Sequence, residues 1–241
     1  MKSNSREGWV LTQSRTWLGN YYFLSQAYAD LAMAVSYLAI WIAPSRFSDE
    51  YILSSLAFIL LEFFIIVLTG AALSLREKSM SRGRQNRIFF LHCSLYALLG
   101  SVVAYQIGTT WIMVVYWIRN LAQVAHTMYY LPAQGPEKEK VFERLVLSAA
   151  LFIGGGLVTG FIPMPQLGIT DEVNSYYKDL LTRGGVETSS ETPMIDSITW
   201  GFLFYGGLGW YQISQWRKER FLKSTLTDRN HDSLLDEMKK K

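Results

Sequence analysis

An all-α, polytopic membrane bundle is the fold this chain predicts. Three observations predict it: six apolar segments of spanning length, charges gathered in short blocks between them, and basic residues concentrated in alternate loops. Of 241 residues, 50% are hydrophobic and 18% charged, and the charges are not spread along amphipathic segments as in a soluble domain of this length.

The six spans read as 22–43, 51–75, 88–107, 111–131, 145–162 and 197–214. Each matches ~30 Å of hydrocarbon at about 1.5 Å per residue. The first follows a polar segment, 1–21, and is too long for the core of a cleaved signal, so it reads as a retained span. The third and fourth form a hairpin split at Gly108-Thr109-Thr110, because 88–131 is too long for one crossing. The fifth carries Gly154, Gly155, Gly156 and Gly160. Gly156 and Gly160 make a small-xxx-small pair that permits close helix approach, within the bundle or in a homo-oligomer. The sixth, with Gly201, Gly206, Gly207 and Gly209, is the expected packing partner of the fifth.

Lysine and arginine orient the bundle. Lys2, Arg6 and Arg15 precede the first span, Arg76, Lys78, Arg82, Arg84 and Arg87 join the second to the third, and Arg217, Lys218, Arg220 and Lys223 follow the sixth. The positive-inside rule makes these segments cytoplasmic, which puts both termini inside and predicts a multi-pass inner-membrane protein in contact with the lipid bilayer. The long loop 163–196 is then external, and 215–241 is a cytoplasmic tail. The loop predicts a short helix capped by Thr170, with Asp171 and Glu172 at its positive end and Gly184-Gly185 stopping it. Val173, Tyr176, Tyr177, Leu180 and Leu181 share a face, so this helix is expected to rest on the membrane surface, with a lid over the bundle as the alternative. In the tail, the polar run 224–233 predicts disorder, with a short interfacial helix as the alternative.

Composition also excludes functions. The net charge of +3 comes without a basic stripe interleaved with aromatics, so no nucleic-acid partner is expected. The lone Cys93 rules out an intrachain disulfide and a cysteine zinc site. No N-x-S/T sequon occurs, which fits a bacterial protein. P-loop, G-x-S-x-G, H-E-x-x-H and dinucleotide signatures are all missing, so no catalytic residue is assigned and a non-enzyme is favoured.

Ionisable residues inside the spans mark where function sits, because charge in hydrocarbon needs a partner, a wet cavity or a use. Gln26, Asp30 and Tyr37 share one face of the first span, and Ser55, Glu62 and Thr69 one face of the second. His92 and Tyr96 are four apart in the third, and Tyr116, Arg119, Gln123, His126 and Tyr130 step by three and four along the fourth. Counting about 1.5 Å per residue sets Glu62 and Arg119 near mid-membrane and Asp30, His92 and His126 nearer the cytoplasmic edge.

Glu62 and Arg119 are the expected intramembrane ion pair. Asp30, His92 and His126, lined by Gln123 and Tyr96, are the expected site for a proton, an ion or a small polar solute. Two histidines on adjacent antiparallel helices can also ligate a haem iron, so haem through His92 and His126 is the minority alternative to no cofactor. A scaffold or assembly factor, with the same pairs acting structurally, is the third reading.

Two segments, Glu62 in "FILLEFFIIVL" and Phe89, Phe90 and His92 in "FFLH", resemble a family of bacterial multi-pass membrane proteins of unknown function, and Trp200-Gly201 resembles the opening of its last span. That family favours Trp before the Glu and Asn after it, where this chain has Leu61 and Phe63. The resemblance implies membrane location and no activity.

Overall fold

The computed structural model describes residues 24–75, 81–108, 110–125, 136–183 and 191–239. Among these the chain is helical, with no strand. Helix α1 covers 24–42 and is followed by a single 3-10 turn, Pro44–Arg46. Then come α2 (Asp49–Leu75), α3 (Arg82–Ile107), α4 (Trp111–Ala125), α5 (Pro136–Phe161), α6 (Asp171–Arg183) and α7 (Pro193–Lys239). Three helical stretches, Asp49–Ser74, Arg82–Gln106 and Val141–Phe161, are long and apolar enough to cross a membrane.

Local chemistry sets several of the boundaries. Ser81 opens α3 by accepting from the Arg84 N–H, a side-chain cap for one of the free amides of the first turn. Gly108 closes it in the left-handed region at φ 78°, and its N–H reaches the Ala104 carbonyl at 3.0 Å. With α4 starting at Trp111, the expected hairpin turn falls where length demanded it; Thr109 itself lies outside the described residues. Thr170 caps α6 as expected, its hydroxyl accepting from the Val173 N–H.

The tail departs from expectation. A polar run was expected to leave it without order, yet α7 continues as helix from Pro193 to Lys239. The composition of 215–239 offers no proline and no glycine to stop a helix that arrives from the preceding span.

Packing divides the chain into two units, Met1–Ala32 with Gly206–Lys241, and Met33–Tyr205. In the larger unit α2 is central, with α3, α4 and α5 all against it. Its core holds Phe58, Leu61, Ile65, Tyr96, Tyr116 and Val124. Tyr37 of α1 is fully buried, donates to the Ser55 carbonyl of α2, and stacks on Tyr205 of α7 with ring centroids 5.7 Å apart. Gly201 makes room for that ring, since a Cβ there would lie 2.5 Å from Tyr37 Cε1.

The glycine run of α5 has a definite occupant. The Trp200 ring fills the notch at Gly155 and Gly156, where a Cβ on Gly155 would lie 2.7 Å from Trp200 Cδ1. Trp200 Nε1 donates to the Phe152 carbonyl at 2.8 Å. The fifth and sixth predicted spans therefore do pack together. Gly156 faces Trp200, while Gly160, its expected companion in a small-residue face, has nothing within 4 Å.

In the smaller unit, α1 and α7 meet closely at Gly209, where a Cβ would lie 2.7 Å from Leu31 Cδ2 and 3.2 Å from the Ala27 carbonyl oxygen.

Candidate functional site

The larger unit contains a layer of polar side chains between α2, α3, α4 and α7, inside segments otherwise apolar. Gln123 Nε2 of α4 donates to Thr69 Oγ1 of α2 at 3.0 Å. The Tyr96 side chain of α3 and the Tyr116 side chain of α4 are buried in the same core as α2. The Tyr96 and Tyr116 rings meet edge to face at 6.0 Å. Glu62 to Thr69 and Tyr116 to Gln123 are both seven residues, so α2 and α4 run side by side in the same direction over two turns.

Glu62 is 3% exposed, and Tyr205 of α7 donates its hydroxyl to Glu62 Oε1 at 3.1 Å. The expected partner, Arg119, lies in α4 one turn beyond Tyr116, and its side chain is outside the described residues. Tyr205 was not among the expected site residues. A signal was present: Tyr205 and Gln212 lie seven apart in the sixth predicted span, the same spacing that marked the stripe of the second.

His92 is held from two sides. Its Nδ1 is 2.9 Å from the Ile88 carbonyl of its own helix and its Nε2 is 3.1 Å from the Leu68 carbonyl of α2. Carbonyl oxygens only accept. A neutral imidazole has one N–H to give, so it satisfies one of the two contacts, whereas an imidazolium satisfies both. Neither nitrogen presents a lone pair to open space. His126, the second expected histidine, lies outside the described residues.

Asp30 is fully buried in the smaller unit, and Gln212 Nε2 of α7 donates to its Oδ2 at 2.7 Å. The expected polar core was drawn from the first four spans alone. The last helix supplies a partner within each unit, Tyr205 to Glu62 in the larger and Gln212 to Asp30 in the smaller. Among the described residues no group of three His, Cys, Asp or Glu stands close enough to hold a metal ion.

At the end of the larger unit where α1 stops and α2 begins, α6 is tied down rather than loosely laid. Tyr176 and Tyr177 donate to the two oxygens of Asp49, at 2.6 and 2.8 Å. Asn174 is buried, donates to the Glu191 carbonyl at 2.6 Å and accepts from the Met194 N–H at 3.2 Å, which caps the start of α7. Among the described side chains of α6, Asn174 and Tyr177 are buried, Val173 and Leu181 are part-buried and Tyr176 is half exposed. Burial, together with the Asp49 carboxylate, pushes the Tyr177 phenol above its ordinary value. The segment after Pro163 is pinned as well: Trp41 Nε1 donates to the Pro165 carbonyl at 2.8 Å, and the Gly168 N–H to the Trp41 carbonyl at 3.0 Å.

The chain matches no family model, no curated protein and no solved structure.

Proposed function

We propose that this is a six-span protein of the inner membrane, both termini cytoplasmic, whose polar interior binds or passes a proton, an ion or another small polar solute. The observation that carries the reading is His92, 3% exposed within a helix apolar enough to span, and bracketed by two carbonyl oxygens. Both ring nitrogens face backbone acceptors inside a spanning helix, and an ionisable side chain in that place is by default a candidate for handling protons or ions. Gln123 and Thr69, the latter next in the chain to Leu68, pair across α2 and α4, and Tyr96 lies one turn from His92 on α3. Asp30 and His126 belong to the same reading as further proton- or ion-handling groups.

Glu62 has a different role in this proposal. Arg119 is assigned as its counter-charge; an arginine does not shed its proton, so Glu62 stays ionised and anchors α2 to α4. Tyr205 adds a neutral donor to the same carboxylate. The resemblance at Glu62 and at Phe89-Phe90-x-His92 supports a membrane location and adds nothing on activity.

The test is proton movement in sealed vesicles. Purified protein in liposomes with an imposed pH gradient should collapse the gradient faster than empty liposomes, and His92→Gln and Asp30→Asn, each still folded, should slow the collapse. Wild-type vesicles no faster than empty ones reject proton handling.

A scaffold role is the second reading, favoured by the cross-helix pins His92–Leu68 and Gln123–Thr69, which serve structure equally well. In that case both variants are tolerated and the protein copurifies with a partner. The haem alternative draws no support from His92, whose ring nitrogens both face carbonyls. An oxidised and reduced absorption spectrum should lack a Soret band.

A further inference from the structure

We propose that α3 carries a docking site for one anionic phospholipid, with Arg82 and Arg87 holding the headgroup and an acyl chain lying along Phe90, Leu91 and Leu98. α3 is long and apolar enough to span, and it opens with Arg82, Arg84 and Arg87, all three exposed. They sit at the positive end of the helix dipole, which opposes like charge, and no acidic side chain in the first turn offsets them. None occurs anywhere between Arg82 and Ile107. Arg84 interacts within the protein as well, so the headgroup falls to Arg82 and Arg87, which have no ion-pair partner among the described residues. Gly83 stands one turn before Arg87, and a Cβ there would meet nothing within 4 Å, so this side of the helix is open. Long helical side chains lean back toward the amino end, which brings the Arg87 guanidinium toward that open level.

The apolar face continues directly from the charge. Phe90, Leu91 and Leu98 lie three, four and eleven residues beyond Arg87, spacings that keep one side of a helix, and all are exposed. Arg87 to Leu98 covers about 17 Å at 1.5 Å per residue, the depth of one leaflet of a ~30 Å hydrocarbon layer. Tyr105, 89% exposed on the same side, lies about 27 Å from Arg87, where the opposite interface falls. A free anion would use the arginines alone, and an apolar protein surface the leucines alone. A phospholipid of net negative charge uses both, and clustered basic residues at the end of a spanning helix attract such headgroups.

The inference rests on the reading that α3 crosses the membrane and is independent of what His92 does. Full-length protein in detergent is mixed with equal amounts of dioleoylphosphatidylglycerol and dioleoylphosphatidylcholine and read by native mass spectrometry. The anionic lipid should be retained about tenfold over the zwitterionic one. Arg82→Gln with Arg87→Gln should cut that preference to about twofold. Arg217→Gln with Lys218→Gln, an equal change of charge elsewhere, should leave it near the wild-type value. Equal retention of the two lipids by wild type overturns the site, and so does a preference lost equally in the second pair, which would make it diffuse attraction. Equimolar glycerol 3-phosphate that displaces the lipid assigns the arginines to a free anion and overturns it as well. Dimers that retain neither lipid put a second copy on this face, and monomers that retain neither remove α3 as a lipid-facing span. Should the Arg82, Arg87 double variant fail to fold, each substitution is read singly, and a preference untouched in both overturns the proposal.

Discussion

The Tyr205 hydroxyl donates to Glu62 Oε1 at 3.1 Å, joining the last helix to the middle of the second. Both groups are buried, Glu62 at 3% and Tyr205 at 0% exposure, so neither exchanges this bond for water. Tyr205→Phe should therefore lower stability by about 1.5–3 kcal/mol, the range for losing a buried hydrogen bond to a charged group. Thermal or denaturant unfolding in detergent checks it. Most of that cost should vanish when Glu62→Leu is already present, because the partner that needed the donor is gone.

Glycines in this chain should respond in opposite directions to alanine. At Gly201 a Cβ meets the Tyr37 ring at 2.5 Å, and that ring is fixed by its bond to the Ser55 carbonyl and its stack on Tyr205. Gly201→Ala should destabilise by about 1–3 kcal/mol. At Gly160 nothing lies within 4 Å, so Gly160→Ala should be neutral or stabilise by up to about 1 kcal/mol. Unfolding midpoints of the two variants, measured in the same detergent, would have to change places to refute this.

The loop before α6 holds a second contrast. Leu167 adopts φ 46°, a left-handed conformation unfavourable for a branched side chain, and it is exposed. Leu167→Gly should leave stability unchanged or raise it slightly. Its neighbour Gly168 lies against the Ile42 carbonyl, where a Cβ would sit 1.9 Å away. Gly168→Ala must displace the backbone and should open the Trp41–Pro165 contact, readable as a change in tryptophan emission.

Alkaline pH should loosen α6. The Tyr177 phenol is raised by burial first and by Asp49 second. A raised folded pKa means the contribution is whole below the unfolded value near pH 10 and is lost as pH climbs through the higher folded value. Protease cleavage in 184–190 should rise above about pH 10. Asp49→Asn should raise it at neutral pH too, since the amide keeps one accepting oxygen and turns an N–H donor toward the other phenol. Cleavage that is flat across pH 8–11 in wild type would remove Asp49 as the tether.

Much of the architecture was legible because hydrophobic period and turn chemistry are local. Gly108 ended α3, Thr170 capped α6, and the glycines of the fifth span announced a close approach. The occupant of that approach was not legible: small residues say that something comes near, and only the fold says that it is Trp200. The same limit applies to the carboxylates. Burial of Asp30 and Glu62 followed from their place in apolar runs, but partners drawn from some 140 to 180 residues away, Tyr205 and Gln212, depend on which helices meet. The length of α7 was missed for another reason, since a charged sequence without breakers is equally compatible with helix and with disorder.

Adjacent residues on a helix project about 100° apart, yet Tyr176 and Tyr177 converge on the one carboxylate of Asp49. Two arms from different sides of the same cylinder fix its roll. α6 cannot rotate on its own axis without releasing one tyrosine. Asn174, bonded to the Glu191 carbonyl and the Met194 N–H, holds the helix at a further point, so a substitution at either tyrosine alone would weaken the restraint on the roll without removing it.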